Sequence, residues 1–287
     1  MIFELPRDIL IHGVYSTRKT AQAMTASKFY PALPALPPFK TSVKLTDVGI
    51  LAWDSQPTLS FPHLGMELAP ENIFHTTGRL VPASDNPNEL EPESIVSLIA
   101  ASRAWGIKLA KAGVKYFVHD SLSAKDTKNV SFWTKRIDDG KEGNDGAGQK
   151  LYRNVLKTHS MDLEWWQNLA AHYDCYNIWI AHTAIKGQAS VSDKVSAVKA
   201  TELERQAKGL TGPELGARIT GASWSYFYEQ CRAVYYQSLE TEFGKVTAKW
   251  TTRSNEVAVK PGFPAGVLPD KINADFRELF KIARGEK

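Results

Sequence analysis

Apolar residues gather along the chain in short, mostly apolar runs, at 9–13, 48–53, 114–118 and 175–181. None alternates with polar residues, so each is predicted to be a strand covered on both faces, as in a parallel sheet. Helical spacing lies between them. Ile95, Leu98, Ile99, Ser102, Trp105 and Leu109 form one stripe, so residues 93–112 are predicted to be a helix, with Pro92 near its start and Gly113 at its end. Residues 19–29 are helix-forming. At 160–174 Ser160 is a candidate N-cap, with Met161, Trp165 and Leu169 on one face. A helix that delivers the chain straight into a strand, as 93–112 does, is the βαβ signature of an α/β fold with a mostly parallel sheet.

The remaining stretches are less regular. Residues 1–8 read as a lead-in strand or cap, and Pro31, Pro34, Pro37 and Pro38 enforce an extended connection read as a surface loop. Residues 57–92 are Pro-rich, with a short strand at 73–74. Residues 122–150 are polar and end in Gly140, Gly143, Gly146 and Gly148, which predicts a long functional or mobile loop. Residues 185–218 read as a second long loop, partly helical around 194–208. Aromatic residues in 222–238 keep strand-like or mixed spacing, and 246–252 alternates as a strand. After a Pro/Gly turn cluster at 256–268, residues 274–284 form a closing amphipathic helix.

The 287 residues are 43% hydrophobic, which suffices for a large core and excludes global disorder. They are read as a single domain over 1–287. A net charge of +4 permits a nucleic-acid partner without requiring one. Cys175 and Cys231 make no metal-spaced pair, and no His/Cys spacing suggests zinc. The first eight residues do not form a signal peptide, and no apolar run approaches the roughly 20 residues of a membrane span. A cytoplasmic location is expected.

The chemistry concentrates after the first strand. Gly13 is followed by Val14, Tyr15, Ser16, Thr17, Arg18, Lys19 and Thr20, and then by a helix. The phosphate-loop pattern is G-x-x-x-x-G-K-[ST], so this is that pattern with Arg18 in place of the second Gly. Backbone N–H groups of such a loop bind phosphate oxygens, Lys19 would reach the β- and γ-phosphates, and Thr20 would offer its hydroxyl to Mg²⁺. If position 18 needs a left-handed backbone, Arg there costs roughly 1–2 kcal/mol. The alternative is a chance match opening an ordinary helix. Three further strands end in polar residues, Asp54, Asp120 and His182. Asp120 is placed as a strand-end carboxylate for Mg²⁺, or else caps a turn; His182 ends its strand on the same edge, where a satisfied core imidazole is the plain alternative to a site residue. His119 is expected to pack beside its strand.

In order and spacing these pieces resemble the RecA-type recombinase ATPases, most of all the small phage-encoded single-domain RecA-like ATPases of single-strand annealing recombination. The residues that carry the resemblance are the degenerate Walker A loop at 13–20, Trp53-Asp54-Ser55-Gln56, Tyr116 to Ser121 and Trp179 to Thr183. It extends over Leu210-Thr211-Gly212-Pro213, Trp250 to Arg253 and Leu268-Pro269-Asp270. The resemblance implies a RecA-like P-loop fold with C-terminal antiparallel strands, binding ATP with Mg²⁺. It implies that Lys19, Asp120 and His182 act on the phosphates, with His182 as the γ-phosphate sensor. Gln56 falls where the family has its water-activating glutamate. A Gln orients water but cannot take its proton, so hydrolysis is expected to be slow.

By the same resemblance, single-stranded DNA would meet the two long loops. The first carries Lys125, Lys128, Lys135, Arg136, Phe132 and Trp133; the second carries Lys186, Lys194, Lys199, Arg205 and Lys208. Acids such as Asp138, Asp139, Glu142 and Asp145 nearly neutralise the first, so a solvated charged loop is the alternative. A ring or filament would bring a neighbour's cation to the phosphates, with Lys245, Lys249 and Arg253 as candidates, although a solvated strand face explains them equally. The function expected is a slow DNA-dependent ATPase of phage-type recombination or replication, in the host cytoplasm. The alternative is a degenerate P-loop scaffold with little or no hydrolysis.

Overall fold

The computed structural model describes residues 2–14, 17–30, 43–54, 61, 64–82, 90–140, 147–185, 215–217, 219, 221–242, 244–255 and 257–286. Tyr15, Ser16, Gln56, the Pro31–Pro38 connection, the cations from Lys186 to Lys208, Glu142, Asp145 and residues 210–213 lie outside them.

Strands β1 (Asp8–Gly13), β2 (Val43–Lys44), β3 (Val48–Ala52), β4 (Met66–Glu67), β5 (Ile73–His75), β6 (Leu80–Pro82) and β7 (Leu90–Pro92) precede β8 (Tyr116–Asp120) and β9 (Tyr176–Ile185). Then come β10 (Leu215–Ala217), β11 (Ala233–Glu242), β12 (Lys245–Thr251) and β13 (Lys271–Asn273). The central sheet runs β13-β12-β11-β1-β9-β8-β3-β5, with β10 paired to the end of β9. From β11 to β5 neighbouring strands are parallel. The β11–β12 and β12–β13 pairs are antiparallel. The α/β fold class and its C-terminal antiparallel strands are therefore as the sequence implied.

Burial explains the mostly apolar, non-alternating runs. All six residues of β1 are buried. Ile9 and Ile11 join one core layer with Met24, Ile50, Ile180, Trp250 and Leu279. Leu10 joins the opposite layer with Leu51, Phe117, Trp166, Trp179 and Phe227. Successive residues of a strand point to opposite faces, so two covered faces favour apolar residues at successive positions, with His12 the buried polar exception within the run. The chain runs from β1 across to β3, and only later places β9 and β11 on either side of β1. β1 thus ends at a reversal of strand order, where ligands of open α/β sheets bind.

The helices are α1 (Lys19–Ala23), continued by a 3-10 turn (Met24–Ala26), α2 (Ile95–Lys111), α3 (Leu122–Asp138), α4 (Ala147–Tyr173), α5 (Gly221–Gln230) and α6 (Phe276–Arg284). Three sequence expectations are corrected. Most of the predicted first loop, 122–138, is α3. Its buried face is polar, with Lys125, Asp126 and Asn129, so no apolar stripe announced it. Helix α4 begins at Ala147, so Ser160 lies mid-helix, its hydroxyl donating to the Lys157 carbonyl at 3.1 Å. The aromatic stretch at 222–238 divides into α5 and the start of β11. Lys260 Nζ closes α5 by donating to the carbonyls of Tyr228, Glu229 and Cys231.

Candidate functional site

The loop after β1 closes on Lys19. Gly13 pairs with His182 of β9 on one side and with Gln237 of β11 on the other. A Cβ at position 13 would collide with the Gln237 carbonyl oxygen. Glycine is needed here for close backbone approach. Arg18 has φ 61° and ψ 30°, left-handed, and its side chain is exposed. The position where the motif has its second Gly is thus a positive-φ position, and the strain expected of Arg is present.

Lys19 is only 5% exposed. Its Nζ donates to the carbonyls of Gly13 at 2.9 Å and Val14 at 2.7 Å, and to Thr17 Oγ1 at 3.3 Å. Thr17 Oγ1 in turn donates to the Val14 carbonyl at 3.0 Å. Burial lowers the Lys19 pKa to about 8, against the opposing pull of Asp120 and Asp54.

The first residue of α1 after Lys19 reaches the acid. Thr20 Oγ1 donates to Asp120 Oδ2 at 2.6 Å. Asp120 is 6% exposed, and burial raises its pKa to about 6, with Asp54 adding to the rise and Thr20 and Lys19 opposing it. The Asp120–Ser121 peptide is cis. Ser121 caps α3 by accepting from the Ala124 N–H at 3.2 Å, and its hydroxyl donates to Asp54 Oδ2 at 2.8 Å. The backbone N–H groups of Trp53 and Asp54 both donate to the Asp120 carbonyl, at 2.6 and 3.2 Å. His182 Nε2 lies 3.9 Å from Asp54 Oδ2, and its backbone N–H donates to Ser123 Oγ at 2.9 Å.

The structure therefore brings Gly13, Lys19, Thr20, Asp54, Asp120 and His182 to one edge. Asp54 was read from sequence only as a polar strand tip, with Gln56 preferred for water. Its half-exposed carboxylate now stands beside the histidine. The neighbours Ser121 and Ser123, which hold Asp54 and the His182 backbone, were not singled out as site residues; Ser121 was legible only as the residue following the acid.

One proposed DNA contact is overturned. Lys125 is wholly buried and ion-paired to Asp162, whose other oxygen accepts from Arg103 Nε at 3.2 Å. Its Nζ lies 5.5 Å above the Trp53 ring and 5.9 Å from Trp179. It is core, unavailable to a phosphate backbone. His119 packs as expected, stacked on Trp179 at 3.6 Å and edge-on to Trp166 at 4.7 Å, and burial holds its pKa well below the usual histidine range.

Among the described residues no cluster of three His, Cys, Asp or Glu side chains could hold a metal ion, and no helix is long and apolar enough to cross a membrane. No family model matches this chain, and no curated protein matches it. Among solved structures, a KaiC-like protein from the hyperthermophilic archaeon Pyrococcus horikoshii OT3 is similar, at 11% identity. The match covers 85% of this chain and 77% of that chain, with a TM-score of 0.35. At that score the likeness adds nothing to what the strand order and the side chains themselves say.

Proposed function

We propose that this chain is a RecA-like P-loop ATPase, a single domain that binds ATP with Mg²⁺ and hydrolyses it. The observation that carries the reading is the 2.6 Å bond from Thr20 to Asp120 beside a lysine caged by its own loop. The residues fit the ligands. The loop spanning Gly13, Val14, Tyr15, Ser16, Thr17 and Arg18 would present backbone N–H groups to the phosphates, with Lys19 exchanging its loop carbonyls for phosphate oxygens. Thr20 and Asp120 are the residues that would hold Mg²⁺, which when bound neutralises charge on the phosphates. Asp54 would accept a proton from the attacking water, its position fixed by Ser121, and His182 would meet the γ-phosphate.

Calorimetry on Lys19→Ala tests the reading. ATP binding is expected to be lost with the fold intact, and wild-type affinity in that variant removes the proposal. Asp54→Asn is expected to lower turnover by about 10²-fold or more at little changed ATP affinity. Equal loss from a Gln56 substitution alone would return the water-orienting role to Gln56.

The substrate reading, single-stranded DNA in phage-type recombination or replication within a host cytoplasm, rests on the resemblance. Lys128, Lys135 and Arg136 remain for it on α3, with Arg136 5.8 Å from the ring centres of both Phe132 and Trp133. For self-association as a ring or filament, Lys245 and Arg253 remain exposed, while Lys249 donates to Asn273 Oδ1 at 2.9 Å. The alternative, a scaffold with little or no hydrolysis, rests on Arg18 standing where the motif has Gly and Gln56 where the family has its glutamate.

A further inference from the structure

The phosphate loop is held from the neighbouring strand β11, which pairs directly with β1. Gln237 of β11 is fully buried, and both ends of its amide are used. Its Nε2 donates to the Thr17 carbonyl, and its Oε1 accepts from the Trp250 indole N–H at 3.0 Å. Trp250 stands directly opposite on β12. Its ring is clamped by Tyr235, stacked at 5.3 Å, and by Phe276, edge-on at 4.9 Å. The indole cannot turn away, so it fixes which end of the amide faces the loop.

Resting on the nucleotide-binding reading above, we propose that Gln237, aimed by Trp250, is the positioning residue that sets the backbone of the phosphate loop at Thr17 and Arg18. A trans peptide points its C=O and N–H in opposite directions. Holding the Thr17 carbonyl therefore aims the Arg18 N–H away from β11 and keeps the Thr17–Arg18 peptide turned as the left-handed Arg18 requires. The same residue acts twice. Its main-chain oxygen occupies the space a Cβ at position 13 would need, and its side chain holds the loop four residues later. Among the described residues, Lys19 and Thr17 bind the loop to its own Gly13 and Val14 carbonyls, while Gln237 holds it from another strand.

The test uses the full chain with Gln237→Met, Trp250→Phe and the double variant. Amide hydrogen exchange is followed in the ligand-free protein, and ATP affinity by calorimetry with Mg²⁺. Gln237→Met is expected to raise exchange at residues 17–20 about tenfold relative to the β9 interior, and to weaken ATP binding about tenfold. Trp250→Phe is expected to do the same more weakly, and the double variant to be no worse at the loop than Gln237→Met. Loop exchange unchanged from wild type, or sheet and loop exchange rising together, overturns the proposal by making Gln237 a core residue only. If Gln237→Met does not fold, Trp250→Phe decides by the same criterion. Failure of wild-type protein to bind ATP would instead remove the nucleotide reading, and the exchange data would still decide whether Gln237 shapes the loop.

Discussion

Replacing Arg18 isolates the strain at the centre of the loop. Its φ of 61° lies where a residue with a Cβ costs roughly 1–2 kcal/mol. Arg18→Gly removes that cost but makes the unfolded chain more flexible, which returns about 0.5–1 kcal/mol. The net expectation is a gain of about 0.5–1 kcal/mol, or about 1–3 °C in the unfolding temperature of a chain this size. Arg18→Ala is the control. It removes the same guanidinium yet keeps the left-handed penalty, so it should sit near wild type and below Arg18→Gly. Thermal and urea unfolding of ligand-free protein, in enough salt to screen the lost charge, measure the difference. Should Arg18→Ala equal or exceed Arg18→Gly, the backbone at 18 is not held left-handed. Should both fall well below wild type, the guanidinium makes stabilising contacts that outweigh the strain.

Two further outcomes follow from buried charge. Asp120 has its pKa raised from 3.8 to about 6, so it holds a proton more tightly folded than unfolded. Its ionisation therefore destabilises the ligand-free protein above pH 6, and that loss is recovered as pH falls from 6 towards 4. The ceiling is about 3 kcal/mol at ~1.4 kcal/mol per unit. Asp120→Asn should accordingly unfold at higher temperature than wild type at pH 8, match it near pH 4, and lose Mg²⁺-dependent ATP binding; a variant less stable at pH 8 contradicts the sign. Lys125→Met leaves Asp162 paired only with Arg103 and should cost about 3 kcal/mol, part of it recovered in Lys125→Met/Asp162→Leu. Urea unfolding checks this, and wild-type stability with weakened single-stranded DNA binding would restore Lys125 to the surface.

What the sequence made legible follows from where polarity sits. The strands β1, β3, β8 and β9 were readable because both sheet faces are covered and their runs are mostly apolar on both, with His12, His119 and Asn177 as buried polar exceptions. Helix α2 was readable because its buried stripe is mostly apolar. Helix α3 was not, because Lys125 and Asp126 are buried against partners 37 and 33 residues along the chain, Asp162 and His159. A pairing at that separation leaves no periodic trace. Helix α5 could have been found: Trp224, Phe227 and Tyr228 keep helical spacing, but aromatics also favour strands.

At the site, the motif gave the lysine, the hydroxyl and the acid. It could not show that Asp54 would turn in beside His182, because that depends on the Ser121 hydroxyl. The electrostatics bind these pieces into one reading. Burial pushes Lys19 down to about 8 and Asp120 up to about 6, each towards its neutral form. An anion beside the lysine and a cation beside the carboxylate would reverse both shifts at once. The folded chain thus carries two opposite electrostatic costs at one edge, joined through Lys19 and its neighbour Thr20, which bonds Asp120. A triphosphate carrying a divalent ion relieves both, whereas an uncharged ligand or a lone anion would leave at least one in place.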